Sequence, residues 1–404
     1  MNRSALSGIR VADFTWAWAG PYATMLLALM GAEVIKIESM KRTDLARRSA
    51  FTTGQKFIGL DQSSVFNDLN MNKLSVTLNL SHPRAAELAL RIVSISDVAA
   101  QNMRPGVMDR LGLGYEELKK VKPDIIMLSS SACGTTGPQR NYIGYAPTFA
   151  AMGGVTEITG FPEGAPVPLT GAIDIRSATT SAFALLAALN YRQRTGKGVH
   201  IDLSSTESIC VLAGDSLMDY TMNHRSPSRS GNRDAIMSPH NCYRCKGEDM
   251  WVSIAVADDG EWADLCRAVG NPEWTQDERF ATAYRRWQNQ NELDPLIEKW
   301  TMNYTSYEVM EILQKAGVAA VPAFNGEQLF NDPHSREREW YMEIEHPVIG
   351  RRIVINPPWK LSETPATIET PSPLLGQHND YVFGELLGMP KADISRLIEE
   401  KAIY

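Results

Sequence analysis

The sequence predicts an α/β protein built on a parallel sheet. Short apolar runs alternate with helical patterns from the first residues on, and a strand–helix–strand unit closes within about thirty residues. Helix-start and helix-stop residues also stand where a right-handed crossover needs them. Ile9–Ala12 reads as the first strand. Pro21 falls in the first turn of the following helix, where a missing N–H costs little, and Gly31 ends that helix. Val34–Ile37 forms the second strand, and KLSVTLNL, AAELALRIVSIS, DVAAQN, YEELKKV and DIIMLSS carry the alternation to Ser130.

Residues 170–181, TGAIDIRSATTS, open a long helix. Ala178, Ala182, Leu185, Leu186 and Leu189 recur at spacings of three and four, the pattern of one buried face. RTGKG then turns into a strand over Val199–Leu203, and a helix is expected near Ser205–Asn223. The polar, turn-rich HRSPSRSGNRD marks a boundary near residue 225. Beyond it the texture changes to short strands, Trp-rich helices and charge, with SPHNCYRCKGEDMWVSIAV reading as strand, turn and strand. HPVIGRRIVINPP returns to strands, and the last forty residues read as two short helices.

At 404 residues, 44% hydrophobic and 22% charged, the chain exceeds one compact domain. A net charge of −7 gives no reason to expect a nucleic-acid partner, although local Arg and Lys can still hold an anionic small molecule. MNRSALSGIR lacks a leader's apolar core, and the run AFALLAAL is too short to span a membrane. The five cysteines are scattered, as expected of free thiols in a reducing cytoplasm. Cys242 and Cys245 lie close to His240, but no second Cys or His pair completes a zinc set. Packing is their expected role, and no metal is expected.

The opening unit invites a dinucleotide reading, with Glu38 where a ribose ligand would stand. The loop Thr15-Trp16-Ala17-Trp18-Ala19-Gly20-Pro21 has one glycine where the fingerprint needs three. NAD is therefore not expected, and RTGKG lacks the P-loop spacing. None of the seven histidines sits in a catalytic motif. What remains is Asp174 at a helix start, with Lys73, Arg104, Arg110 and Arg140 in loops near strand ends. Such loops are where parallel sheets bind ligands. Asp also caps helices, so these residues alone leave cap and nucleophile both open for Asp174, and a solvated charge scatter open for the basic residues.

The run VADFTWAWAGPYATMLLALMGAEVIKIE, the strand NMNKLSVTLNL, the segment QNMRPGVMDRLGLGYEELK and the Asp174-to-RTGKGVHID spacing resemble the family III coenzyme A transferases. LLGQHNDYVFGELLGMPKADISRL is of the same type. This resemblance implies a Rossmann-like large domain built from both chain ends (1–225 and 336–404) around a smaller α+β domain (226–335), in dimers threaded as interlocked rings. It implies Asp174 as nucleophile and CoA contacts at Trp18, Ala19, Asn70 to Lys73, Asn102, Met103, Arg104, Arg110 and Leu111. CoA is then a substrate, with no permanent cofactor.

The sequence departs from the family at Ser39, where an arginine is common, and Lys41 or Arg42 is expected to take its place. The glycine-rich flap is reduced to Gly260. Trp16, Trp18, Tyr142 and Tyr145 are candidates for an acyl pocket, and Arg140 or Arg176 for holding a second carboxylate. A racemase of the family would need a His where Gly144-Tyr145-Ala146 stands, and a non-catalytic subunit would not need Asp174. SSSACGTTGPQR and IRSATTS are most similar to the benzylsuccinate type of anaerobic toluene breakdown, whose enzymes pair two related chains. Succinyl-CoA is the implied donor, and benzylsuccinate or a related aromatic or dicarboxylic acid the implied acceptor.

Overall fold

The computed structural model describes residues 4–48 and 59–404; the first three residues, part of the stretch read for a leader, lie outside them. The chain divides into two compact units. One holds residues up to Thr156, Pro168–Arg225 and Glu337–Tyr404; the other holds Glu157–Val167 and Ser226–Arg336.

The first unit is built on six parallel strands: β1 (Arg10–Asp13), β2 (Glu33–Glu38), β3 (Lys73–Thr77), β4 (Val98–Gln101), β5 (Ile126–Ser131) and β6 (His200–Ser204). Their order is β3-β2-β1-β4-β5-β6, so the chain reverses its direction of travel between β1 and β4. At that switch point the loops after both strands diverge and leave a crevice. Apolar side chains cover both faces. Ile35, Ile37 and Val76 pack with Ala89 and Ile92 on one side, and Val11, Val34 and Leu128 pack with Leu27, Leu185 and Leu189 on the other.

The C-terminal segment completes this unit. Val382, Phe383, Leu397 and Ile403 enter the first core. His378 Nδ1 accepts from Ser75 N at 3.0 Å and Asn379 Oδ1 from Thr77 N at 2.9 Å, so the exposed edge of β3 is covered by side chains. The expected strands near 346–355 form a hairpin, β10 (Tyr341–His346) with β11 (Gly350–Ile355). Of the two short terminal helices, Asp380–Leu386 is wound as a π-helix and Lys391–Glu399 as an α-helix.

The helix expected over Ser205–Asn223 is broken. Ser205–Cys210 is α-helical, Val211–Ala213 tightens into a 3₁₀ turn, and Gly214–Asn223 starts again as a separate helix. Gly171–Thr195 is long and apolar enough, by length and composition, to cross a membrane. Its apolarity has another cause: Ile173, Ala178, Ala182, Leu185 and Leu189 form one buried face.

The second unit has a three-stranded antiparallel sheet, β7 (His240–Arg244), β8 (Trp251–Ala255) and β9 (Ala319–Pro322). Its core contains Tyr243, Val252, Ile254, Trp262, Phe280 and Leu313, with Cys245 and Cys266 among them. Burial pushes both thiols up to about 11, which suits packing rather than reactivity. Residues 157–167, which the boundary at 225 assigned to the large domain, belong to this unit. Gly231 N donates to Gly160 O at 2.8 Å, and Arg229 pairs with Glu157 at 2.9 Å.

Candidate active site

The crevice at the switch point is shaped by the loop Phe14–Trp18. This loop lacks the glycines that usually allow a tight turn, and Ala17 itself takes a left-handed conformation with φ 67°. Side chains from three other segments hold it there. Asn102 accepts from Trp16 N at 2.9 Å and donates to Trp16 O at 2.8 Å. Asp44 Oδ1 accepts from Ala17 N at 2.8 Å, and Lys36 Nζ donates to Thr15 O at 2.8 Å.

The result is a cavity of about 280 Å³ between the ends of β1, β2 and β4. Trp16, Ile37, Leu80, Met103 and Leu111 give it apolar walls, and Ser39, Lys41 and Arg42 a polar side. The Arg42 guanidinium lies 4.5 Å from the centre of the Trp16 ring. An aromatic plate topped by a cation matches a planar, negatively substituted ligand such as a nucleotide. Trp16, a candidate for the acyl pocket on sequence alone, stands at this cavity.

Beneath the loop lie three buried cations, Lys36, Lys73 and Arg47, and three buried carboxylates, Asp13, Asp44 and Glu38. Burial alone would raise Asp13; the ammonium groups of Lys73 and Lys36 and two threonine hydroxyls outweigh it and hold the carboxyl below its ordinary value. Burial likewise opposes Lys36, yet Asp44, Asp13 and Glu38 together hold its pKa high. Glu38, at the ribose position of a dinucleotide binder, is taken up by Arg47, whose Nε and Nη2 each donate at 2.9 Å.

Lys73 does not present a free charge to a phosphate. Its Nζ lies within 3.0 Å of Asp13 Oδ2, Pro21 O, Thr24 Oγ1 and Asn70 Oδ1, and an ammonium has only three protons to donate. Burial lowers it to about 8. Lys73 and the buried Asn70 thus fasten the first helix, Ala19–Leu29, from below.

Trp18, at the start of that helix, reaches the head of the Gly171–Thr195 helix: a Cβ on Gly171 would lie 3.7 Å from its ring. Asp174 sits one turn further on. The N-cap of the helix is Thr170, with no side-chain capping bond, so Asp174 is the fourth helical residue and not its cap. The carboxylate is half-buried, and burial pushes it up to about 6. The carboxylate is thus stripped of part of its water in the first turn of a helix, where the dipole and the free N–H groups favour negative charge.

The remaining expected residues divide. Met103 and Leu111 line the cavity, whereas Arg104 and Arg110 are exposed in the loop and short helix beyond it. Arg140, Tyr142 and Tyr145 are exposed in the segment between β5 and the Ala146–Met152 helix, where Tyr145 N donates to Thr148 Oγ1 at 2.8 Å. Arg176 donates weakly to Ser208 O at 3.4 Å. Gly260 belongs to the second unit and is tied down: Asp258 accepts from its N–H at 2.8 Å at the start of a helix, so it is not a free flap glycine. Asp13, Lys36 and Asp44 escaped sequence reasoning.

Residues 6–379 match the model of CoA-transferase family III. The chain belongs to the family III CoA-transferases. This transferase is similar to the succinyl-CoA–D-citramalate CoA-transferase of Chloroflexus aurantiacus, with 34% identity and 98% of each chain covered. It is also similar to the succinyl-CoA–L-malate CoA-transferase beta subunit of that organism, with 32% identity and 98% of each chain covered. Among solved structures, a CAIB/BAIF family protein from Brucella suis superposes with a TM-score of 0.85 at 29% identity, covering 95% of the transferase and 100% of that chain. The transferase moves CoA between carboxylic acids, with CoA thioesters as substrates.

Proposed function

We propose that the transferase takes CoA from succinyl-CoA and passes it to a dicarboxylic acid acceptor through an aspartyl-CoA intermediate on Asp174. The carrying observation is the carboxylate itself: half-buried in the first turn of its helix, raised to about 6 by burial, and not the N-cap, which is Thr170. Asp174 attacks the thioester carbonyl of succinyl-CoA, expelling the CoA thiolate and leaving a mixed anhydride. The thiolate then attacks the aspartyl carbonyl, releasing succinate and forming the Asp174 thioester. The acceptor carboxylate attacks that thioester and expels the thiolate again. The thiolate attacks the acceptor's own carbonyl in the new anhydride, so acyl-CoA leaves and Asp174 returns as carboxylate. Each attack is the covalent kind of catalysis that divides one hard exchange into easier steps.

The nucleotide end of CoA fits the cavity at Trp16 and Arg42, with Lys41 and Arg42 supplying the charge that Ser39 lacks. Trp18 spans from the loop bordering that cavity to the helix of Asp174. The acceptor class rests on chemistry shared with the relatives. Malate and citramalate, named for those enzymes, are 2-substituted succinates, and so is benzylsuccinate. Arg140, Arg176, Tyr142 and Tyr145 are the candidates for its second carboxylate and ring.

The working form is a dimer, with a second copy or a related chain. The helix Gly214–Asn223 buries none of its residues, and Leu217, Met218, Tyr220 and Met222 are each more than half exposed. An apolar helix this bare is a surface for a partner.

The test is covalent capture. The protein is incubated with succinyl-CoA, quenched with hydroxylamine or borohydride, and the modified peptide mapped by mass. A label on another carboxylate refutes the mechanism. Turnover with a panel of 2-substituted succinates against monocarboxylates decides the acceptor class.

A further inference from the structure

We infer that Asp44 is a positioning residue for the transfer reaction: it holds Ala17 in its left-handed conformation and thereby sets Trp16 at the cavity and Trp18 against the helix of Asp174. This rests on the reading of the cavity as the coenzyme's. A non-glycine residue at φ 67° is unfavourable and persists only where its surroundings impose it. The imposing contact is Asp44 Oδ1, 2.8 Å from Ala17 N.

Asp44 is itself held rigidly. The same oxygen accepts from Ala46 N at 2.9 Å, and Oδ2 lies 2.9 Å from Lys36 Nζ, with both side chains fully buried. Lys36 also grips Thr15 O, so one ion pair holds the chain on both sides of Trp16, while Asn102 holds Trp16 itself. Burying an ion pair is a poor way to gain stability, because desolvation offsets the attraction. Fixing a loop that has no glycines is what the pair achieves here.

The plain alternative is that Asp44 merely caps the short helix Leu45–Arg48. Asn caps as well as Asp, so Asp44→Asn keeps that role, while its amide, set against the Lys36 ammonium, removes the ion pair that fixes the oxygen on Ala17 N. The experiment is calorimetric titration of coenzyme A into folded variants, with thermal unfolding as the control. Asp44→Asn is expected to bind coenzyme A roughly tenfold more weakly while KM for the acid acceptor stays as in the wild type. Adding Ala17→Gly should restore most of the affinity, because glycine adopts positive φ without help. Rescue by backbone freedom at a residue outside the capped helix is something a cap role does not predict.

If Asp44→Asn does not fold, Ala17→Val serves instead. It keeps the polar contacts, strains only the backbone, and should weaken coenzyme A comparably. Wild-type affinity in these variants, or no rescue by Ala17→Gly, overturns the positioning role when Trp16→Ala does lose affinity. Full affinity in Trp16→Ala overturns the cavity assignment and the inference with it.

Discussion

Replacing Asp174 by Asn should make the protein more stable and inactive at once. The carboxyl is held at about 6 against an ordinary 3.8, with burial as the cause. At about 1.4 kcal/mol per pH unit, the ionised form then costs the fold at most about 3 kcal/mol. The side chain is half-buried, so solvent screening reduces this, and a charge in a helix's first turn returns up to about 1 kcal/mol through the dipole. A net gain of about 1–2 kcal/mol is expected for the neutral amide. Because the folded pKa is raised, the stability attached to this group is present below pH 3.8 and is lost as pH rises through 6. The gain from Asn must therefore be largest above pH 7 and shrink on acidification towards pH 4. Thermal unfolding of both proteins at pH 8, 6 and 4.5 measures it, as a rise of about 1–3 °C at pH 8 that falls at the lower values. CoA exchange is abolished throughout, since an amide cannot form the anhydride or the thioester. An active Asp174→Asn protein, or a stability change independent of pH, would refute the reasoning.

The same carboxylate predicts a pH profile: kcat/KM should rise with pH through about 6 and stay level to pH 8, because only the ionised form attacks; a flat profile between pH 5 and 7 contradicts it. Arg42→Ala should raise KM for the acyl-CoA roughly threefold to thirtyfold by removing the cation over Trp16, with KM for the acceptor unchanged in steady-state assays. Leu217→Asp combined with Met222→Asp should leave a folded monomer by sedimentation; an unchanged oligomer places the partner surface elsewhere. Activity should survive exhaustive chelation, and a stoichiometric zinc signal dependent on Cys242 and Cys245 would overturn the metal-free reading.

The parallel sheet was legible because the central strands β1, β2 and β4 are buried on both faces, and the resulting apolar runs, punctuated by Pro21 and Gly31, leave little room for another arrangement. Asp174 was legible as a residue but not as a state: sequence cannot distinguish a capping carboxylate from one held a turn inside the helix, because that depends on where Thr170 starts it. Lys73 was misread for a related reason. A lysine at a strand start looks free until Asp13, Thr24 and two other acceptors, tens of residues away in all but one case, close around it. Yet the sequence held a signal for this network. Asp13 ends the run VAD and Lys36 interrupts VIKIE, each fully buried beside apolar strand neighbours. An ionisable side chain in such a place must find an opposite charge, and two of opposite sign on neighbouring strands, paired Asp13 to Lys36 in register, announce one. What could not be foreseen is the third member, Asp44, which stands in an unremarkable loop and reaches the site only because the chain after β2 folds back beneath Trp16. A loop that needs left-handed backbone but offers Ala17 instead of glycine has to be held by something outside itself, and that requirement points to the buried charges before any contact is seen.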